Sequence, residues 1–294
     1  MQRRGSKRSG AFGPAYALAL KPANSVSVSH YENFPVASRL VPASLRPAVL
    51  AIYAFARAAD DFADEGSDPP ALRLARLDAY AALLDRLERG EVPPEPPFPQ
   101  LAAAIDRHAL PLRPFHDLLS AFRQDVTKTR YASYAEVLDY CARSANPIGR
   151  LLLHLYQVSD AANLAHADAI CSALQLTNFW QDIALDWAKG RVYLPGEDRA
   201  RFGVNELQIA EGHCDLRWSQ LLEFEVARTR ALLESGRPLA RALPLRLGLE
   251  LGFIVAGGLR ILGAIDAVRG DVFRRRPKLR RGDWLLMAAS ALRR

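Results

Sequence analysis

One stretch decides the fold class: residues 175–186 read QLTNFWQDIALD. At about 100° per residue, a helix through this stretch places its polar side chains within about 80° of arc, on one face about 16 Å long. That face carries Gln175, Asn178, Asp182 and Asp186, and the other faces carry mostly large apolar side chains. Because such a helix must be packed nearly all round, we predict a long buried helix over roughly 165–189 with one polar stripe.

A second stretch, residues 53–65, reads YAFARAADDFADE. On a helix, Tyr53, Arg57, Asp60 and Asp64 fall within about 60° of arc. Two carboxylates one turn apart repel each other unless a cation lies between them. The neighbouring Ala and Phe residues predict that this end of the helix is partly buried, where like charges need a partner. Arg57 alone is not enough for both carboxylates.

The two acidic faces together predict a metal site. Either face alone is also typical of a solvated acidic turn or a structural polar stripe. Their occurrence in one helical chain indicates a shared cavity that both faces border. Carboxylate and amide oxygens, with no His or Cys among them, favour Mg²⁺ over zinc or iron. Mg²⁺ bound in this way usually bridges to substrate phosphates.

Composition agrees with a single helical domain. Half of the 294 residues are hydrophobic, Leu and Ala dominate, and no alternating strand pattern or internal repeat is found. The three cysteines lack paired spacing, which argues against a disulfide framework and favours a reducing cytoplasm. We predict a basic, flexible lead-in over 1–28, an all-α domain over 29–268 and a basic segment over 269–294.

The net charge of +7 is concentrated at the two ends. Residues 1–29 carry five Lys and Arg and no acid, and residues 269–294 carry nine against two acids. These ends are either solvated tails or contacts for anionic lipid or nucleic acid. A non-catalytic nucleic-acid-binding protein is the remote alternative, since the basic residues lack interleaved aromatics or a reader motif. The most apolar stretch, 245–268, contains four charged residues, so no membrane span is predicted.

Several motifs in order resemble the squalene/phytoene synthase family, over roughly residues 30–266. The segments that carry the resemblance are HYENF at 30–34, DDFAD at 60–64, DVTKTRY at 125–131, YCARSANPIG at 140–149, and QLTN at 175–178 continuing to KGRVYLP at 189–195. The resemblance implies a single isoprenoid-synthase-type helical domain around a central cavity, an enzyme with the two acidic faces opposed at the cavity mouth, and Mg²⁺ as cofactor.

The resemblance also implies roles for individual residues. The expected catalytic residues are Asp60, Asp64, Asp182 and Asp186, and Asp61 and Asn178 join these four as expected metal ligands. The expected substrate-binding residues are His30, Asn33, Phe34, Tyr53, Arg57, Gln175, Lys189, Arg191 and Tyr193. A carbocation formed from the substrate would be shielded by aromatic rings, for which Phe34, Phe55 and Phe179 are the candidates.

Two departures from the family pattern favour one branch. Gln181 replaces an arginine that commonly precedes the second motif's aspartate, and Asn33 replaces a serine. Both are similar to the hopanoid-pathway branch of the HpnC type, which implies conversion of presqualene diphosphate to hydroxysqualene. The alternative is a head-to-head condensing synthase that makes presqualene diphosphate, squalene or phytoene.

The branch also sets expectations for cofactors and partners. No Gly-rich nucleotide fingerprint is found, so NADPH is not expected. The expected partners are a prenyl diphosphate, other hopanoid-pathway enzymes and, if the basic ends bind lipid, the inner face of an anionic membrane. No nucleic acid partner is expected, and the expected location is the cytoplasm.

Overall fold

The computed structural model describes residues 41–64 and 68–291 of the chain. Within these ranges the chain folds into helices, and the β pairing found there is an isolated bridge between Arg130 and Val192. The fourteen helices are α1 (Arg46–Asp64), α2 (Pro70–Glu88), α3 (Phe98–His108), α4 (Arg113–Thr127), α5 (Tyr134–Ser144), α6 (Asn146–Leu155), α7 (Ala161–Gln181), α8 (Ile183–Ala188), α9 (Gly196–Arg201), α10 (Glu206–Glu211), α11 (Leu216–Ser235), α12 (Leu239–Ala242), α13 (Leu245–Ala267) and α14 (Arg281–Ala291).

The all-α prediction is therefore confirmed. Predictions that concern residues 1–40 fall outside the described residues. They include the lead-in and three expected substrate-binding residues, His30, Asn33 and Phe34.

Side-chain caps set the starts of two long helices, α7 and α11. Asp160 accepts a hydrogen bond from the backbone N–H of Asn163 (3.0 Å) at the start of α7. Asp215 does the same for Trp218 (2.9 Å) at the start of α11. Each cap satisfies a backbone donor that the first helical turn leaves without a partner. Helix α7, which carries the first part of the predicted polar stripe, therefore starts at residue 161, four residues earlier than predicted.

The predicted single helix over 165–189 is wrong in one respect, because it is interrupted at Asp182. Asp182 has φ −108° and ψ 15°, outside the helical range, and it separates α7 from α8. The hydrogen-bond ladder continues across the break: the Asp182 N–H donates to Asn178 O and the Asp186 N–H donates to Asp182 O, both at 2.9 Å. The polar stripe thus continues past the kink. Leu185, predicted to be packed, is 45% exposed.

The helices enclose two hydrophobic cores. The first is formed mainly by α1 to α4, around fully buried aromatic residues such as Phe55, Phe98 and Phe115. The second is formed mainly by α5 to α13, around Trp180 and Trp218. The Trp180 ring nitrogen donates to Thr229 Oγ1 (2.8 Å), which satisfies the polar atom of a core side chain. Residues of both cores line the central cavity, which lies between them.

Helix α13 is long and apolar enough to cross a membrane, by length and composition alone. In the fold it contacts α7, α11, α12 and α14, which is the environment of a core helix of the bundle. The C-terminal segment also packs on the body, since Val272, Met287 and Ala291 are buried. The interpretation of this end as a solvated tail is therefore wrong for the described residues up to 291.

Candidate active site

The cavity between the two cores has a volume of about 540 Å³ and a largely apolar wall. Tyr53, Arg57 and Asp60 on α1 reach this wall, and Gln175 on α7 reaches it as well. The spacing of three or four residues places the three α1 side chains on one helix face, as predicted. The cavity therefore joins a long apolar interior to polar groups supplied by both acidic helices.

The carboxylates of α1 are held by an arginine but are not fully compensated. Arg57 contacts Asp60 at 3.3 Å and Asp61 at 2.8 Å. Burial, together with the charge of the nearby Asp64, raises the pKa of Asp60 to about 7 despite Arg57. A carboxyl group with such a pKa lacks the positive charge that would hold it ionised.

Asp64 links α1 to the segment that follows α8. Its carboxylate accepts hydrogen bonds from Lys189 Nζ (3.0 Å) and from Arg191 (2.5 Å). Burial alone would raise the pKa of Asp64, but the hydrogen bond and charge of Arg191, with those of Lys189, lower it below its usual value. Two predicted diphosphate-binding cations thus lie against a predicted metal ligand, although they are 125 and 127 residues away in sequence.

The second acidic face meets the first at this point. Burial, with repulsion from Asp182, raises the pKa of Asp186 to about 7, and the charge of Asp64 adds to this effect. Asn178, one turn before the kink, is exposed. The two faces are thus neighbours in the fold, close enough for their carboxylates to interact.

The donor set fits Mg²⁺. The two faces supply five carboxylates and one amide oxygen, all hard ligands. Asp60 and Asp186 are both partly exposed. Both carry raised pKa values, and the charge of Asp64 contributes to each of the two shifts. Asp64 and Asp182 instead form ion pairs with basic side chains.

Asp125 belongs to the site but was not among the predicted functional residues. It is 6% exposed and accepts hydrogen bonds from the hydroxyls of Tyr140 (2.7 Å) and Tyr193 (3.2 Å). Burial raises its pKa to about 6, against the lowering effect of the Tyr140 hydrogen bond, and Asp64 and Arg191 also influence it. Two sequence signals pointed to Asp125: it opens the DVTKTRY motif, and it lies on the apolar face of α4 one turn after Phe122.

Tyr193 therefore lies behind the site rather than at the cavity wall. Its ring stacks on Phe179 with centroids 3.7 Å apart, and it is 7% exposed. Phe55 and Phe179 were predicted to shield the carbocation, but both rings pack in the cores and neither lines the cavity. The aromatic residues that do line it, among the described residues, are Tyr53, Phe122, Tyr140 and Tyr156.

A second residue missed in the sequence is Arg276, from the segment between α13 and α14. Its guanidinium forms a forked ion pair with Asp182, with 3.0 Å between Nη2 and Oδ2. The adjoining residue, Pro277, accepts a hydrogen bond from Gln181 Nε2 (2.5 Å). Gln181, which replaces the family's arginine, is thus buried and fixes the chain that brings Arg276 to the acidic face. Sequence spacing gave no signal for this contact, because 94 residues separate the partners.

Comparison with known proteins agrees with this geometry. The sequence profile of the squalene/phytoene synthase family matches residues 28–283. The chain is 40% identical over 235 residues to the hydroxysqualene synthase of Rhodopseudomonas palustris, covering 79% of this chain and 78% of that protein. It is 36% identical over 236 residues to the hydroxysqualene synthase of Sinorhizobium fredii, covering 80% and 79%. The crystal structure of squalene synthase HpnC from Alicyclobacillus acidocaldarius matches with a TM-score of 0.76 at 37% identity, covering 87% of this chain and 93% of that one.

The predicted likeness to the hydroxysqualene synthase branch is therefore confirmed, and so is the prediction of an enzyme. The family match extends from before α1 to the start of α14. With the helical fold and the apolar cavity that Arg57 and Asp60 reach, these matches lead to one conclusion: this chain belongs to the squalene/phytoene synthase family.

Proposed function

We propose that this enzyme ionises presqualene diphosphate in a Mg²⁺-dependent reaction and captures the resulting cation with water, giving hydroxysqualene and diphosphate. The observation that carries the proposal is an apolar cavity whose wall includes Arg57 and Asp60 of α1 and Gln175 of α7. The sequence likeness to hydroxysqualene synthases supports it. An amphipathic substrate with a diphosphate head and a long hydrocarbon fits such a site.

The polar end of the site would bind the diphosphate. Arg57, Lys189 and Arg191 would donate hydrogen bonds to its oxygens, with the two arginines offering forked donors. The carboxylates of Asp60, Asp64, Asp182 and Asp186, with Asp61 and Asn178, would hold Mg²⁺ between the protein and the diphosphate. When bound, Mg²⁺ supplies the positive charge that stabilises the departing diphosphate.

The bond between carbon and the diphosphate oxygen breaks with both electrons leaving on the diphosphate. The cyclopropylcarbinyl cation opens its ring, a water oxygen bonds to the carbon that carries the charge, and that water loses one proton. The rings of Tyr53, Phe122 and Tyr140 at the cavity wall would stabilise the cation through their electron-rich faces. No hydride donor enters this balance, so NADPH is not required.

Asp125 would act as a positioning residue in this scheme. Its carboxyl accepts hydrogen bonds from Tyr140, which lines the cavity, and from Tyr193, two residues after Arg191 in sequence. It therefore fixes one cavity ring and the segment that carries the diphosphate-binding cations. We place the reaction in the cytoplasm, beside the membrane that would receive the apolar product.

The test is incubation of the purified full chain with presqualene diphosphate and Mg²⁺, without NADPH. We expect release of diphosphate and formation of hydroxysqualene, and no product when EDTA replaces Mg²⁺. Consumption of farnesyl diphosphate with no conversion of presqualene diphosphate would instead assign a condensing synthase. Asp60→Asn and Asp182→Asn are expected to lower turnover by about 100-fold or more with unchanged circular dichroism. Near-normal rates in both variants would exclude the metal-bridged mechanism.

A further inference from the structure

The outward face of α14 exposes apolar side chains that take no part in the proposed catalytic site. Leu285 is 78% exposed and Leu286 is 55% exposed. The two alanines that follow Met287 are also exposed. From residue 282 to residue 291, the only charged residue in the sequence is Asp283. An exposed helix of a protein that stays in water normally carries charges on its outer face.

The opposite face of α14 fixes this orientation. Met287 is fully buried against the body, and the ring of Trp284 lies 5.4 Å from the ring of Phe253 on α13. Asp283 is bound by Arg260 of α13 and also accepts a hydrogen bond from the Arg280 N–H (2.7 Å). The Asp283 carboxylate therefore points toward the body, and the two leucines are exposed to solvent.

A basic segment directly precedes this apolar face. Its exposed residues are Arg274, Arg275, Lys278 and Arg280. Asp271, just before this segment, pairs with Arg274 at 3.6 Å. Residues 274–280 contain no acidic residue, so the segment is strongly positive. An apolar face beside a cluster of cations has the chemistry of a bilayer surface, where the apolar side chains enter the acyl boundary and the cations meet anionic headgroups.

We propose that α14 and residues 274–280 form a docking surface for an anionic phospholipid bilayer. Leu285 and Leu286 would insert at the headgroup boundary, and the four exposed cations would bind the lipid phosphates. A spanning arrangement is excluded for α14, because its 11 residues are too few to cross the hydrocarbon core. The surface therefore attaches the protein to one leaflet.

The same surface lies one helix layer from the cavity. Leu247, Leu251 and Ile254 of α13 line the cavity. Leu251 also borders a second, smaller cavity of about 240 Å³, which Ala291 of α14 lines too. If the proposed function holds, a docked α14 places the apolar end of the cavity beside the membrane. Only this last step rests on the proposed function, and the docking itself does not.

The test is flotation of the full-length protein with vesicles of phosphatidylcholine alone or with 30% phosphatidylglycerol. We expect binding to the anionic vesicles, reduced at least tenfold in Leu285→Gln/Leu286→Gln. Replacing Arg274, Arg275 and Lys278 by Gln is expected to weaken vesicle binding about fivefold per charge removed. This follows because each cation near an anionic membrane contributes about 1 kcal/mol to the binding free energy. The matched control is Leu207→Gln/Leu216→Gln, because both of these leucines are also exposed (62% and 73%).

The outcomes distinguish bilayer docking from self-association of the chain. Equal flotation of the wild type and the Leu285/Leu286 variant, or equal loss in the control, would overturn the proposal. A concentration-dependent dimer in sedimentation, abolished by the same variant and without vesicle binding, would assign the face to a second copy and also overturn it. Turnover of detergent-dispersed presqualene diphosphate by the Leu285/Leu286 variant should stay within twofold of the wild type, so loss of docking and failure of the proposed reaction are read separately.

Discussion

Asp60→Asn is expected to stabilise the metal-free protein although it removes activity. Burial and the charge of Asp64 raise the pKa of Asp60 from 3.8 to about 7. The native state therefore binds a proton more tightly than the unfolded chain, and stability falls as the pH rises from about 4 to about 7. Above pH 7 the native protein carries a charge that its surroundings disfavour, and an amide at this position removes that cost.

The size of the effect follows from the shift and the exposure. A shift of about 3 units corresponds to about 4 kcal/mol at most, at 1.36 kcal/mol per unit. The Asp60 side chain is 39% exposed, so solvent screening reduces this to about 1–2 kcal/mol. For a domain of this size, the melting temperature should rise by about 2–6 °C.

The assay is thermal unfolding at pH 8 in EDTA, followed by the same scan with Mg²⁺ and pyrophosphate. The wild type should gain stability from the ligands, and the Asn variant should gain none. Asp61→Asn is the matched control, because Asp61 makes the shorter contact with Arg57 (2.8 Å) and its loss should lower stability in EDTA. Destabilisation by Asp60→Asn in EDTA would contradict the cost assigned to the Asp60 charge. Full stabilisation of that variant by Mg²⁺ and pyrophosphate would contradict its role as a metal ligand.

Two further predictions concern charged side chains away from α1, the arginine Arg276 and the buried carboxyl of Glu225. Arg276→Gln should lower metal-free stability by about 1 kcal/mol, because Asp182 loses its forked partner. Mg²⁺ with pyrophosphate should restore the lost stability in unfolding scans. Arg274→Gln, at a side chain 83% exposed, is the control and should change stability little with or without the ligands. A loss in Arg276→Gln that the ligands do not restore would contradict the prediction. Glu225, fully buried, has a pKa raised to about 8 by burial, so stability should fall as the pH rises from about 4.5 to 8. Glu225→Gln should flatten that fall in denaturant titrations, and an unchanged pH profile would contradict the assignment.

Local sequence patterns predicted the fold class and the acidic faces because both depend on helical periodicity. The spacing of Asp60 and Asp64, and of Asn178, Asp182 and Asp186, places side chains on one face wherever the chain is helical. The kink at Asp182 had no such signal, because the apolar and polar spacing continues through it. The backbone hydrogen bonds of Asp182 and Asp186 are also intact.

Contacts between distant segments were not predictable in the same way. Arg276 reaches Asp182 across 94 residues, and Asp125 joins the site through two tyrosine hydroxyls. Whether Phe55 and Phe179 face the cavity or the core depends on how helices rotate against one another. Periodicity shows that such a ring is buried, but it does not tell a core from a cavity wall.

The proposed function requires that the carboxylates of α1 and those beside the α7–α8 kink hold one Mg²⁺–diphosphate unit between them. The most direct measurement is calorimetric titration of Mg²⁺ and pyrophosphate into the wild type, Asp60→Asn, Asp182→Asn and the double variant. Because both carboxylates would hold the same ligand, each single variant should lose most of the binding and the double variant little more. Wild-type affinity in either single variant, or independent and additive losses, would contradict the claim.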